Sequence, residues 1–309
     1  MRSSSHGKLW SGVWRVADPK ITLASVASMT VGATAAAWQG PIAWPWLALT
    51  VIGILCIEAA KNASGEIFDW DSGTDQAVTE AERTPFSGGK RVLVDGLMTR
   101  SQLAVVEAVF YALGAAVGLA IVIVREPAVL WVGLAGAALA FFYHAPPLAL
   151  SYRGLGELAV ALSYGPIIAA GTYLAQRHTI DSGVLIAAAP VGLAIMAFLW
   201  INEFPDARAD EAAGKRTLVV RLGRERAAHW FGAILAAAYI ALALAPPIGL
   251  PVTVWLGFIG APHAIAAARR LRRCHDLPHE IIPAQAWTLL SFVLMAAGIG
   301  AGFVLAAVL

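Results

Sequence analysis

Long apolar runs alternate along the chain with shorter polar links. Nine of the runs approach the roughly 20 residues needed to cross about 30 Å of hydrocarbon. They are predicted as spans at 21–40, 45–64, 101–124, 128–144, 155–176, 183–203, 227–246, 250–270 and 285–309. The links at 65–100, 204–226 and 271–284 are long and polar, whereas 41–44, 125–127, 177–182 and 246–251 are short. The expected fold is all-α: a polytopic membrane bundle of nine transmembrane helices, built as a single domain over residues 1–309. The first apolar run follows a basic segment and ends in small residues, as a signal peptide does. It is longer than a usual signal core and is read as the first helix. Gly114 and Gly118 form a GxxxG pattern, read as a close helix contact without a chemical role.

Composition fixes the solvent of these helices. With 59% hydrophobic and only 14% charged residues and a mean hydropathy of +0.69, the chain is expected in a lipid bilayer. A formal charge of +2 says little as a total, because orientation depends on where Lys and Arg sit. Placing the N-terminus in the cytoplasm puts all 22 of them, save Arg125 and Arg177, at the cytoplasmic side. The prediction is a multi-pass protein of the cell inner (plasma) membrane with its working face in the cytoplasm. Trp10, Trp14, Trp38, Trp44, Trp46, Trp70 and Trp200 stand near run ends and read as interfacial anchors. Cys56 lies in an apolar run and Cys274 in a basic link, so no disulfide is expected. No nucleic-acid partner is expected.

Two acidic stretches carry the candidate chemistry. The first, Lys61-Asn-Ala-Ser-Gly-Glu66-Ile-Phe-Asp69-Trp-Asp71-Ser-Gly-Thr-Asp75, closes the second predicted helix. Asn62, Glu66 and Asp69 share one helical face, and Gly73 allows a turn that aims Asp75 back. The second, Asn202-Glu203-Phe-Pro-Asp206-Ala-Arg-Ala-Asp210, closes the sixth, again with its acids on one face. Either stretch alone could be a solvated loop. Together, at one depth, they would repel by several kcal/mol in a low-dielectric funnel unless a cation lay between them. Hard oxygen ligands suit Mg2+, an ion commonly shared with phosphate oxygens, so the implied ligand is a diphosphate. Arg83, Lys90 and Arg91 follow the first stretch, and Lys215 and Arg216 the second. They could neutralise such a ligand or simply be positive-inside charge; Arg83, Lys215 and Arg216 lie closest to the acids. Glu58 and Lys61, at i and i+3, are expected to pair. Cys274, His275, His279 and Glu280 are read as an ordinary loop rather than a zinc site.

Asp69-Trp-Asp-Ser-Gly-Thr-Asp75 and Asn202-Glu-Phe-Pro-Asp206-Ala-Arg-Ala-Asp210-Glu-Ala-Ala-Gly-Lys-Arg-Thr-Leu resemble the two aspartate-rich motifs of the UbiA superfamily of intramembrane aromatic prenyltransferases. Phe142-Tyr143-His144-Ala-Pro-Pro, Tyr152-Arg153-Gly-Leu-Gly156-Glu157, Tyr164-Gly-Pro and Gly171-Thr-Tyr173 are most similar to the branch that prenylates 1,4-dihydroxy-2-naphthoate in menaquinone synthesis. The resemblance runs from about residue 12 to the C-terminus. It implies a central cavity open to the cytoplasm for an isoprenyl diphosphate and to lipid for its tail, with an aromatic acceptor as second substrate. Glu66, Asp69, Asp75, Glu203, Asp206 and Asp210 would then be Mg2+ ligands, with Asp69, Asp75, Asp206 and Asp210 catalytic. Asn62, Arg83, Tyr143, Tyr152, Arg153, Tyr164, Tyr173, Asn202, Lys215 and Arg216 would bind substrate. Tyr143, Tyr164 and Tyr173 could shield an allylic cation through their π faces, or simply pack. The chain departs from the family pattern twice. Gly65-Glu66 stands where Asn-Asp is usual, with Asn62 one turn earlier, and Tyr143-His144-Ala-Pro-Pro replaces Tyr-Thr-x-Pro-Pro, which bears on the acceptor pocket. A cation-coupled transporter predicts acids spread through the bilayer depth instead, and a scaffold leaves both motifs unexplained.

Overall fold

The computed structural model describes residues 5–309; Arg2, assigned above to the cytoplasmic side, lies outside them. Among the described residues the fold is helical, its sole extended pairing an isolated bridge between Thr84 and Ser87. Helix α1 (Ser5–Ala17) exposes Trp10 and Trp14, as an interfacial helix does. Then come α2 (Pro19–Gln39), α3 (Trp44–Asp71), the short α4 (Thr74–Ala77), α5 (Arg100–Val124) and α6 (Val129–Phe142). A π turn through Gly165 and Pro166 joins α7 (Gly156–Leu162) to α8 (Ile168–Arg177). The chain ends with α9 (Ser182–Ala212), α10 (Leu218–Leu222), α11 (Arg224–Leu244), α12 (Ala261–Cys274) and α13 (Pro278–Val308).

Among the described residues seven helices are long and apolar enough to cross a membrane: α2, α3, α5, the α7–α8 unit, α9, α11 and α13. The other two expected spans are irregular. The run at 128–144 holds only the 14-residue α6. The run at 250–270 is a 3-10 segment, Val252–Gly260, leading into α12. A count of nine crossings therefore rests on these two elements.

With little hydrophobic drive between helices in lipid, close packing depends on small residues. A Cβ on Gly298 would lie 2.3 Å from the Leu256 carbonyl oxygen, and one on Gly302 2.4 Å from that of Thr253, so the 3-10 segment lies backbone to backbone on α13. Gly192 meets the α7 backbone in the same way, 2.5 Å from the Ala161 oxygen. The GxxxG pair divides: Gly114 admits Ile57 of α3, where a Cβ would be 2.6 Å from Cδ1, while Gly118 has nothing within 4 Å. Trp200 proves not to be an interfacial anchor. It is buried, and its Nε1 donates to the Ala227 oxygen at 3.0 Å, tying α9 to α11.

The acidic stretches at the C-terminal ends of α3 and α9 border one cavity and so reach one face. At the other face Trp38 stacks on Phe303 with centroids 5.6 Å apart, placing the far ends of α2 and α13 together. A reporter fused after Leu309 should lie on the side opposite the acids, outside the cytoplasm if the basic residues orient the chain as expected. A cytoplasmic reporter would overturn the orientation or the crossing count.

Candidate active site

Helix α3 continues through Asp71, about two turns beyond its apolar run, carrying Asn62, Glu66 and Asp69 on one side. Gly73, at φ +83°, reverses the chain, and α4 brings Asp75 back, 3% exposed. Helix α9 extends to Ala212 through Pro205, so Glu203, Asp206 and Asp210 are helical. They line one cavity of about 520 Å³ with Asn62, Glu66, Asp69, Asp75, Arg83, Tyr143, Asn202 and Lys215.

Other expected residues fall elsewhere. Tyr152 supports the site from behind, its hydroxyl donating to Asp69 Oδ1 at 2.7 Å. Tyr164 lines a second cavity, apolar and about 600 Å³, between α3, α5, α6 and the α7–α8 unit. Tyr173 is not at the site: it lies at the opposite end of the bundle, its hydroxyl on Gln39. Arg153 and Arg216 are exposed and line neither cavity. At that corner the Arg216 backbone N–H donates to the Tyr152 oxygen at 3.0 Å. Arg221 donates to the Arg153 oxygen at 2.9 Å. The expected Glu58–Lys61 pair gives way to other partners. Glu58 accepts from Thr22 at 2.8 Å and from Ser25, while the Lys61 ammonium lies 5.4 Å over the Tyr143 ring. Lys61 borders both cavities.

Two groups answer the repulsion among the acids. Lys215 Nζ lies 3.6 Å from Asp69 Oδ1 and 3.5 Å from Asp210 Oδ1, bridging the two motifs. Burial works against its charge, but Asp210 and Asp69 outweigh that and hold its pKa well above the usual lysine value. The loop after α4 supplies the rest. Gly88 N donates to Asp206 Oδ2 at 3.2 Å and Leu93 N to Glu66 Oε1 at 3.0 Å. Gly89, at φ +73°, packs where a Cβ would sit 2.4 Å from Asp75 Oδ1. These loop glycines were missed, although Ser87-Gly88-Gly89-Lys90 is a visible flexible run beside a cation. Nothing in the sequence marks Asp18 and Lys20, which also line the cavity.

The donors fit a hard cation. Asp75 Oδ2 and Asp206 Oδ1 are buried with no partner among the described residues, and unpartnered carboxylate oxygens call for a cation or a proton. No three His, Cys, Asp or Glu among the described residues converge into a cage. A Mg2+ ion bound here would have to take waters or phosphate oxygens for its remaining ligands. Burial, then Asp69 and Glu66, push the Asp75 carboxyl from 3.8 up to about 8. Between those two values the folded chain binds more proton than the unfolded one. Metal-free Tm should therefore fall as pH rises from about 4 to about 8, and Mg2+ should blunt the fall. A Tm that rose across that window would contradict this placement of Asp75.

The site and the bundle together define a membrane-embedded enzyme with an acid-walled cavity beside an apolar one. The sequence profile described as the UbiA prenyltransferase family matches residues 25–281, and the chain belongs to that family. It is 28% identical over 309 residues to the 2-carboxy-1,4-naphthoquinone phytyltransferase of Synechocystis sp., covering 95% of this chain and 93% of the relative. It is 30% identical over 268 residues to the 1,4-dihydroxy-2-naphthoate octaprenyltransferase of Mycobacterium tuberculosis, covering 86% and 88%. Its fold is similar to that of a UbiA homolog from Archaeoglobus fulgidus bound to GPP and Mg2+, with TM-score 0.63 and 16% identity over 93% of this chain and 99% of that one. The chain is a prenyltransferase and a membrane protein.

Proposed function

We propose that the protein transfers a polyprenyl group from an isoprenyl diphosphate to 1,4-dihydroxy-2-naphthoate, with Mg2+ as cofactor, at the cytoplasmic face of the cell inner (plasma) membrane. The observation that carries the reading is the meeting of two unlike cavities at Lys61: one acid-walled with cations at its rim, the other apolar. An isoprenyl diphosphate has the same two halves. Glu66, Asp69, Asp75, Glu203, Asp206 and Asp210 would hold Mg2+, which when bound withdraws charge from the diphosphate and makes it a better leaving group. Arg83, which among the described residues has no carboxylate within ion-pair distance, is free to meet the departing diphosphate; Lys215, held between Asp69 and Asp210, lines the same cavity and adds a second positive charge there. The C1–O bond breaks and its electron pair leaves with the diphosphate. The electron-rich ring then forms the new carbon–carbon bond, and aromaticity returns when the attacked carbon sheds its proton or carboxylate. Tyr143 lines one cavity and Tyr164 the other, so their rings would be at hand to stabilise the cation, and the apolar wall would keep water from it.

The names of the two relatives support a naphthalene-derived acceptor over 4-hydroxybenzoate or homogentisate. The clustering of acids at one face disfavours a cation-coupled transporter. Purified protein given radiolabelled prenyl diphosphate should prenylate dihydroxynaphthoate only with Mg2+ present. Turnover confined to a monocyclic phenol would remove the acceptor assignment.

A further inference from the structure

Gly65 on α3 and His144 in the turn after α6 lie against each other. Gly65 sits within α3, where a residue without Cβ weakens a helix and calls for a reason. The reason is the ring of His144, in the turn after α6. A Cβ on residue 65 would lie 2.6 Å from its Cε1, 3.0 Å from Nε2 and 3.2 Å from Nδ1. Any side chain there would displace the imidazole.

His144 is 8% exposed and lines the acid-walled cavity. Its Nδ1 is buried with no partner among the described residues. The neighbouring Tyr143 ring stands edge-on to it at 4.7 Å and carries the Lys61 ammonium on its face. The imidazole is therefore close to Lys61, which borders both cavities, and on the proposed function the prenyl carbon would be attacked there. Diphosphate oxygens only accept hydrogen bonds, and Arg83, Lys90 and Lys215 already offer donors in the same cavity. An imidazole donates at one nitrogen and accepts at the other, which matches a ring hydroxyl, and the adjacent tyrosine offers an edge or face to an aromatic plane.

We infer that His144 hydrogen-bonds a ring oxygen of the aromatic acceptor, and that Gly65 is the space that lets it do so. This rests on the reading that the acceptor is a hydroxylated aromatic. The test compares His144→Phe, which keeps ring volume without the nitrogens, His144→Gln, which keeps a donor and an acceptor, and Gly65→Ala, which displaces the ring. The acceptor KM should rise at least about tenfold in His144→Phe and in Gly65→Ala. The prenyl diphosphate KM and the Mg2+ requirement should stay near wild type. His144→Gln should recover part of the acceptor affinity, and the Gly65→Ala/His144→Phe double variant should be little worse than His144→Phe. An unchanged acceptor KM in His144→Phe would reduce the residue to packing, and a rise confined to the diphosphate KM would move it to the other substrate; either result overturns the inference while leaving the function standing. A wild type that prenylates no hydroxylated aromatic overturns both.

Discussion

Replacing Asp69 or Asp206 with Asn should lower turnover by about 10²-fold to 10³-fold, the usual cost of losing one preorganised electrostatic contact to a leaving group. The fold should survive either change. The Tyr152 hydroxyl donates to Asp69 Oδ1 at 2.7 Å and the Gly88 N–H to Asp206 Oδ2 at 3.2 Å, and an Asn carbonyl oxygen can accept either bond. What is lost is a negative oxygen facing the cavity, where Asp206 Oδ1 already stands unpartnered. Because the two motifs would grip one metal-bound diphosphate, the double variant should be little worse than the poorer single one. Single-turnover transfer of radiolabelled prenyl groups at saturating and limiting Mg2+ measures this. Near-normal rates at limiting Mg2+ in well-folded variants would take these carboxylates out of the reaction.

Lys215→Met should separate stability from chemistry. The lysine is 15% exposed in its side chain and Asp210 3%, with Asp69 at 17%, so its removal leaves two largely buried carboxylates without their shared cation. Breaking a buried pair costs about 3–5 kcal/mol, and partial exposure puts this case at the lower end. That corresponds to a metal-free Tm lower by something on the order of 10 °C. Added Mg2+ can take over between the carboxylates, so Tm should recover. Turnover should fall by about 10²-fold and stay low, because the departing diphosphate has lost a cation that Mg2+ does not replace. Full recovery of both with Mg2+ would make Lys215 a counter-ion alone.

The helices and the two motifs were legible because each is local. Hydrophobic length sets a span, and the i, i+4 and i+7 spacing sets a shared face, whatever the helix packs against. The GxxxG reading failed at Gly118 and the anchor reading at Trp200 because both depend on which neighbour faces the residue. Tyr173 was attached to the site by its place in a motif, yet it sits at the far end of α8 beside Gln39, more than two turns beyond Tyr164. Glu58 and Lys61 have the spacing of a pair, but Thr22 and Ser25 on α2 claim the carboxylate.

The sequence by itself determined the membrane-spanning character of the fold and the shared face of each acidic stretch, and it set the expectation of a hard cation, since hydropathy, residue spacing and ligand hardness are properties of residues. Only the tertiary structure decided what fills the space between the acids. It set Lys215 as the cation bridging Asp69 and Asp210, the Gly88–Gly89 backbone against Asp206 and Asp75, and His144 in the gap over Gly65. Those contacts join residues far apart in the chain, and their distances come from how the helices pack, which no local pattern encodes.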